Sequence, residues 1–221
     1  MFEDENRTLD AFATKVQKKD IFISNTSNNK EHAEYNPYIN NNGTVIAIAG
    51  KDFVAIAGDT RLSVGYSILS RDSSKLCFLT EKVVMASSGM YADIIALQKN
   101  LKARIEIYRS QHKRDPDLVA IANLLSITLY MRRFFPFYAF NLLAGQKSDG
   151  SFAVYGYDAV GSYDEMSYGS QGSGIELVAP VLDNVIGRFK SNNNVIDKKS
   201  ALVLIEDIMG GVSNRDIYTG N

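Results

Sequence analysis

The sequence predicts an α+β fold whose strands and helices pack in layers. Apolar patterns order the elements as strands, two helices, strands and two helices, unlike the regular alternation of a parallel α/β fold. Residues 45–49 and 53–57 are nearly continuous apolar runs joined at Gly50-Lys51-Asp52, which is typical of strands buried on both faces. At 221 residues the chain is long enough for one well-buried domain.

The next elements predict a second strand pair and two helices. Residues 76–79 and 83–86 form apolar runs around a polar turn at residues 80–82. Asp115-Pro116 is expected to provide the N-cap and first-turn proline of the second helix. Apolar residues recur at steps of three and four in both helices: Ile94, Leu97, Leu101, Ile105 and Tyr108, then Leu118, Ile121, Leu125 and Leu129.

The second half repeats this order. Residues 138–144 and 152–157 predict a hairpin around Ser148-Asp149-Gly150, and one further strand is expected at residues 163–168. A helix is expected at residues 175–185, with a kink or early boundary at Pro180. The last predicted helix spans residues 197–209, with inward side chains at Leu202, Ile205 and Met209.

Composition excludes several classes of function. The formal net charge of −1 gives no basic field for nucleic acid, and no apolar run is long enough to span a bilayer. The only histidines are His32 and His112, which argues against a histidine-based triad or metal site. No phosphate-binding or dinucleotide-binding motif is present, so we expect no cofactor and no metal. A lone cysteine, Cys77, and an acidic N-terminus without an apolar stretch favour a reducing compartment rather than secretion.

The first 35 residues are expected to form a flexible tail. Residues 24–30 are polar and rich in asparagine, so they cannot bury apolar surface. Leu9, Phe12 and Val16 have helical spacing, and a short helix that docks on a partner is the alternative to disorder.

The strongest motif lies at the start of the domain. Residues 43–50 (GTVIAIAG) and 53–61 (FVAIAGDTR) resemble the opening hairpin of proteasome beta subunits, which belong to the N-terminal nucleophile hydrolases. The resemblance implies a four-layer αββα sandwich. In active members a threonine, exposed by propeptide removal, precedes an Asp and a Lys by fixed distances. Asp59 and Lys75 match that pair, and both spacings place the nucleophile position at Gly43, which has no side chain.

The resemblance also assigns the remaining residues of the site. In an active member the threonine hydroxyl attacks a peptide carbonyl, the free α-amine takes the proton, and a lysine held by an aspartate tunes that amine. Gly89 matches the glycine whose backbone stabilises the oxyanion, Ser173 the serine near the amine, and Asp216 the second aspartate. Gly43, Asp59, Lys75, Gly89, Ser173 and Asp216 are therefore predicted to form a vestigial site without catalytic residues.

Each residue of this vestigial site also has a structural interpretation. Asp59 and Lys75 are favoured as a buried ion pair that holds three strands together. Gly89 is then only a turn residue. Ser173 is then a helix cap, and Asp216 only orders the loop after the last helix.

Thr44 offers an alternative nucleophile, because active precursors are cut between Gly and Thr. It lies one residue out of register with Asp59 and Lys75, and side chains alternate along a strand, so its hydroxyl is expected to point away from both. The alternative function is thus an active threonine endopeptidase that uses Thr44. A free-standing amide hydrolase of the wider superfamily is a third possibility, which Gly43 disfavours.

Further motifs refine the resemblance to one subtype. Residues 130–138, 153–155, 160–163, 182–184 and 216–220 resemble the non-catalytic subunit at the sixth beta position of the eukaryotic core particle. The resemblance implies a leader at residues 36–42 and a domain at residues 43–221, with the family's final strands absent from this sequence. It also implies neighbouring beta subunits, the alpha ring and the opposite beta ring as partners, a role in ubiquitin-dependent degradation, and a location in cytoplasm and nucleus.

Overall fold

The computed structural model describes residues 36–191 and 195–220. The chain divides into two units, Met1–Pro37 and Tyr38–Asn221. The predicted flexible tail at residues 1–35 lies outside the described residues. The second unit contains all the regular structure described below.

Within the described residues, the strands in chain order are β1 (Thr44–Ala49), β2 (Val54–Gly58), β3 (Leu62–Val64), β4 (Ser67–Ser70), β5 (Leu76–Phe78), β6 (Val83–Gly89), β7 (Ala139–Gln146), β8 (Phe152–Tyr157), β9 (Tyr163–Met166) and β10 (Tyr168–Gly172). The helices are α1 (Tyr91–His112), α2 (Leu118–Tyr130), α3 (Ile175–Ser191) and α4 (Lys198–Ser213).

The strands form two antiparallel sheets and a small hairpin. One sheet has three strands in the order β10-β1-β2, and the other has five in the order β5-β6-β7-β8-β9. Strand β1 is central in its sheet: Ile46 pairs with Ser170 on one side and Ala57 on the other. Strands β3 and β4 pair separately.

Three apolar clusters separate four layers. Helices α1 and α2 pack on the outer face of the five-stranded sheet around Leu97, Leu101 and Leu125. Helices α3 and α4 cover the three-stranded sheet through residues such as Val178 and Ile205. Small aliphatic side chains fill the space between the sheets: Val45, Ala47, Ala86, Leu142, Ala144 and Val154. This arrangement confirms the αββα sandwich.

Local chemistry explains two of the helix boundaries. Asp197 caps α4, where its carboxylate accepts a hydrogen bond from the Ser200 backbone N–H. The α1 helix ends where Lys113 adopts a left-handed conformation, with φ of 56°.

Several sequence predictions were wrong in detail. Helix α2 begins after Asp117, two residues later than expected, so Pro116 precedes the helix. Residues 163–168 do not form one strand, because the chain passes from the five-stranded to the three-stranded sheet near Ser167. Helix α3 continues through Pro180 to Ser191, so the proline is not a helix boundary and the helix ends later than residue 185. Leu202 is half-exposed, since the buried stripe of α4 is Ala201, Ile205, Ile208 and Val212.

Candidate functional site

Gly43 immediately precedes β1 and lies against the Asp59 and Lys75 side chains. A Cβ atom built on Gly43 would be 1.9 Å from Lys75 Cε, 2.6 Å from Lys75 Nζ and 2.8 Å from Asp59 Oδ1. Gly43 also has a φ of 94°, a conformation that glycine adopts readily and other residues rarely do. Gly43, Asp59 and Lys75 therefore lie close together, as their spacing in the sequence predicts. The Lys75 side chain fills the volume that a side chain at position 43 would need.

The Lys75 ammonium is buried and fully hydrogen-bonded. It lies 3.1 Å from Asp59 Oδ1 and donates to the backbone oxygens of Asp59, at 3.1 Å, and Arg61, at 2.7 Å. These three acceptors match the three protons of an ammonium group. Burial lowers the pKa of Lys75, and the adjacent Asp59 carboxylate offsets part of that change. The Lys75 ammonium thus donates all three of its protons to Asp59 and Arg61.

The Asp59 carboxylate joins segments that are distant in sequence. Its Oδ1 accepts a hydrogen bond from the Thr44 backbone N–H at 2.8 Å as well as contacting Lys75. Its Oδ2 accepts from the backbone N–H groups of Arg61, at 3.1 Å, and Gly220, at 3.3 Å. This geometry agrees with the structural interpretation of the pair, because the carboxylate holds the start of β1 and the segment after α4.

The leader runs beside Gly89 and is fixed there by Asn41. The Asn41 N–H donates to the Gly89 carbonyl at 2.9 Å. Its side-chain amide donates to the Ser63 carbonyl at 3.2 Å and accepts from the Tyr91 N–H at 2.8 Å. Gly89 has a φ of 127°, and a Cβ there would lie 2.4 Å from the Tyr138 carbonyl oxygen, so glycine is required for close backbone approach.

Aromatic contacts hold the leader further upstream. The Tyr38 ring stacks on Phe135, with centroids 5.6 Å apart, and also contacts the Tyr138 ring. Its hydroxyl donates to the Pro136 carbonyl at 2.7 Å. The chain is therefore ordered on both sides of Gly43.

The carbonyl group of Gly43 is fixed as well. It accepts hydrogen bonds from Ser88 Oγ at 2.8 Å and from the Ser173 backbone N–H at 3.0 Å. Ser173 is thereby adjacent to Gly43 through its backbone, while its side chain points elsewhere.

Ser173, Asp216, Thr219 and Thr44 form a separate hydrogen-bonded chain. Asp216 Oδ2 accepts from Ser173 Oγ and from Thr219 Oγ1, each at 2.6 Å. Thr219 Oγ1 lies 2.6 Å from Thr44 Oγ1, which also accepts from the Gly174 N–H at 3.0 Å. Thr44 is completely buried. Its hydroxyl thus faces away from Lys75, as strand alternation predicts.

Sequence reasoning did not predict every contact of this site. The Thr44–Thr219 contact joins residues 175 positions apart, and the pattern of the chain contains no signal for it. Asn41 was included only as part of the leader, although a short polar side chain in a Gly-flanked segment is a common anchor for backbone groups.

The one cysteine near the site is not activated by its surroundings. Cys77, two residues after Lys75, is buried, and burial raises the pKa of its thiol, which disfavours the reactive thiolate. Among residues 36–191 and 195–220, no group of three or more His, Cys, Asp or Glu side chains is placed to hold a metal ion. In the same ranges, no helix has the length and apolar character needed to cross a bilayer.

Comparison with known proteins gives one consistent result. Residues 39–221 match the family described as "Proteasome subunit". The chain is 48% identical over 199 residues to the proteasome subunit beta type-1 of Arabidopsis thaliana, covering 87% of this chain and 89% of the relative. It is 45% identical over 195 residues to the protein of that name in Dictyostelium discoideum, covering 86% and 83%. For the Danio rerio protein the identity is 43% over 195 residues, covering 86% and 81%.

Proposed function

The chain belongs to the proteasome subunit family, and we propose that it is a non-catalytic beta subunit of the core particle. The observation that carries the proposal is the surroundings of Gly43. Position 43 has no attacking atom, and the Lys75 side chain occupies the space beside it. The preceding leader is anchored by Asn41, so the position lies inside a continuous chain and has no free α-amine.

The proposal includes a place in the particle. Similarity to beta type-1 subunits supports a beta-ring position, which we assign as the sixth, between two neighbouring beta subunits and in contact with the alpha ring and the opposite beta ring. The subunit would form wall surface beside active neighbours that degrade ubiquitin-marked proteins. Particles that contain it are proposed to occur in cytoplasm and nucleus.

An active endopeptidase that uses Thr44 is disfavoured by geometry. The Thr44 hydroxyl has no exposed surface and is engaged by Thr219 and the Gly174 N–H. Its backbone N–H is hydrogen-bonded to Asp59. Use of this residue would require cleavage after Gly43, whose carbonyl is held by Ser88 and Ser173.

Covalent labelling of the assembled particle tests the proposal. An electrophile that traps N-terminal threonines should modify the active neighbours and leave this chain unmodified, because position 43 has no hydroxyl and Thr44 is buried. Peptide mapping by mass spectrometry reads out both results in one sample, with the labelled neighbours as the internal control. An adduct on Thr44 would overturn the non-catalytic assignment.

The mature N-terminus provides a second test. Without a nucleophile the chain cannot cut its own leader, so any shortening must come from another protein. Because Tyr38 and Asn41 anchor the leader, we expect the mature chain to start between residues 28 and 40. Intact-mass measurement of the subunit from purified particles decides this, and a start at Thr44 would contradict it.

A further inference from the structure

Asn42 and Gly43 form the one Asn-Gly pair of the sequence. In such a pair the backbone nitrogen of the glycine can attack the side-chain carbonyl carbon of the asparagine, which closes a cyclic imide. Glycine favours this reaction, because it has no Cβ atom to shield its nitrogen. The pair joins the leader to β1 and lies directly beside Lys75 and Asp59.

The backbone at Asn42 has a conformation that non-glycine residues rarely adopt. Its φ of 58° is one of two positive values at such residues in the described part of the chain. Its backbone N–H donates to Asn40 Oδ1 at 2.9 Å, and its Nδ2 donates to the Asn40 carbonyl at 3.3 Å. Both contacts are exposed and Asn42 itself is partly exposed, so solvent reaches the side-chain amide.

The Gly43 nitrogen is free to attack that amide. Among the described residues the Gly43 N–H has no hydrogen-bond acceptor, whereas most backbone N–H groups in folded proteins are paired. The next backbone N–H, that of Thr44, donates to Asp59 Oδ1. No hydrogen bond has to break before the Gly43 nitrogen reacts.

The turn at Asp149-Gly150 provides an internal comparison. It is the one Asp-Gly pair of the sequence, and the same imide could form there. The Gly150 N–H donates to the Lys147 carbonyl at 3.0 Å. The Asp149 carboxylate accepts hydrogen bonds from the Ser151 N–H at 2.8 Å and from Ser151 Oγ at 2.6 Å. At this turn both reacting groups are therefore engaged, unlike those of Asn42 and Gly43.

The second step of the reaction needs water, and a cavity lies next to the pair. The cavity has a volume of about 370 Å³, and Asn40, Ser88 and Gly89 are among the residues that line it. Ser88 Oγ lies 3.2 Å from the Asn42 carbonyl oxygen, to which it donates. A donor at this oxygen stabilises the negative charge that develops when water attacks the carbonyl carbon.

We propose that Asn42 deamidates spontaneously through a cyclic imide with Gly43. A bond forms between the Gly43 nitrogen and Asn42 Cγ, and the side-chain nitrogen leaves as ammonia, taking the proton of the Gly43 N–H. Water then opens the imide at one of its two carbonyl carbons. Attack at the main-chain carbon, the one that Ser88 polarises, gives isoaspartate, and attack at Cγ gives aspartate.

Isoaspartate at position 42 loosens the leader. Its main chain runs through the former side chain and is longer by one methylene. Downstream, the Gly43 carbonyl accepts two hydrogen bonds, and upstream Asn41 is held by Gly89, Ser63 and Tyr91. The longer chain cannot keep both sets of contacts. Those of Asn41 are lost, because Asn41 precedes the first strand whereas Gly43 adjoins the buried strand β1.

Heavy-oxygen labelling of the full-length chain, alone or in purified particles, tests the reaction. The protein is aged in water enriched in a heavy oxygen isotope, digested at mildly acidic pH, and the peptide that ends at Lys51 is sequenced by mass spectrometry. Label should enter position 42, mostly as isoaspartate, at a rate within about tenfold of that in a free peptide of the same sequence, because no local unfolding precedes the attack.

Three controls accompany this measurement. Asn40 and Asn41 lie in the same peptide without a following glycine and should stay unlabelled, and so should Asp149. Asn42→Gly keeps the positive φ and removes the reacting side chain, so its peptide should take up no label. Hydrogen exchange at the Tyr91 N–H, which Asn41 Oδ1 accepts, should become faster in aged wild-type protein and stay unchanged in aged Asn42→Gly.

The outcomes separate this inference from the proposed function. Label confined to position 42 together with faster exchange at Tyr91 supports it. An unmodified Asn42 after the free peptide has reacted completely overturns the site, and so does equal labelling of Asn40, Asn41 and Asn42. Conversion with unchanged exchange at Tyr91 overturns the release of the leader. The reaction needs no partner, so the non-catalytic assignment depends on the threonine-directed labelling alone.

Discussion

Gly43 and Thr44 are neighbours in the chain with opposite surroundings. Position 43 faces Lys75 and Asp59, the charged pair that matches the Asp and Lys of active proteasome beta subunits, but it has no side chain. Position 44 has a hydroxyl, but that group faces Thr219 and Gly174 on the other side of the strand. Because successive strand residues point to opposite faces, the Thr44 hydroxyl is separated from the charged pair. An intact set of supporting residues therefore does not establish catalysis.

The largest expected effect comes from removing the lysine. Lys75→Ala leaves the Asp59 carboxylate buried without its cation and should lower the free energy of unfolding by about 3–5 kcal/mol. Urea unfolding of the purified chain and the fraction incorporated into particles measure this loss. Lys147→Ala is the matched control: it removes a partly exposed ion pair with Glu165, which should cost at most about 1 kcal/mol.

Peptide hydrolysis separates the structural and catalytic interpretations of Lys75. With Lys75→Ala, activity per assembled particle should equal that of the wild type. Lower activity in fully assembled particles would instead assign Lys75 a catalytic role.

Gly43→Thr restores a hydroxyl at the position that faces Lys75. The new side chain must displace Lys75, so we expect a loss of stability that exceeds that of Gly150→Thr by about 1–3 kcal/mol, the usual cost of forcing atoms into a filled site. Gly150 has a similar φ of 86°, but no atom lies within 4 Å of the point where its Cβ would be, so it isolates the backbone strain. Labelling by a threonine-directed electrophile should remain absent, since the leader still blocks the α-amine. A labelled Gly43→Thr chain would show that one substitution is enough to restore the site.

Thr44→Val tests the other side of the strand. The change keeps the shape but removes the acceptor for the Gly174 N–H and the partner of Thr219, at a cost of about 1–3 kcal/mol. Thr128→Val is a milder control, because that hydroxyl donates to the Leu124 carbonyl within helix α2. We expect thermal unfolding to show the larger loss for Thr44→Val, with particle activity unchanged. Equal losses would mean that the buried chain of hydroxyls is not a stabilising network.

The smallest expected effect is a pH dependence caused by Lys75. Burial lowers its pKa below the ordinary value of 10.5. Between the lowered folded value and 10.5 the unfolded chain binds more protons, so this group's contribution to stability rises as pH increases through that window. The free energy of unfolding of the wild type, minus that of Lys75→Met, should therefore increase as the pH rises toward 10.5. Lys147→Met serves as the control, and a difference that decreases over this range would contradict the lowered pKa.

The order of strands and helices predicts a layered fold, because apolar periodicity is a local property. The meeting of Gly43, Asp59 and Lys75 was predicted only through the resemblance to proteasome beta subunits, whose residue spacing this chain shares. It misses the β3–β4 hairpin, whose strands of three and four residues are too short to show alternation. It also misses the transfer between sheets near Ser167, which depends on how two sheets stack. The inward face assigned to Leu202 was wrong for a related reason: several helix phases fit the apolar pattern of α4, and packing on the three-stranded sheet selects one.

The Asp59 carboxylate also constrains the order in which the chain can fold. One of its donors is the backbone N–H of Gly220, which lies 161 positions later. During synthesis the N-terminal part of a chain emerges first, and contacts of such high sequence separation form slowly because a long loop must close. In a nascent chain that has already formed the β1–β2 hairpin, the Asp59 carboxylate therefore lacks one of its hydrogen-bond donors. That donor becomes available only when residue 220 has been synthesised. The contact between Gly220 and Asp59 thus makes completion of this buried network a late step in folding.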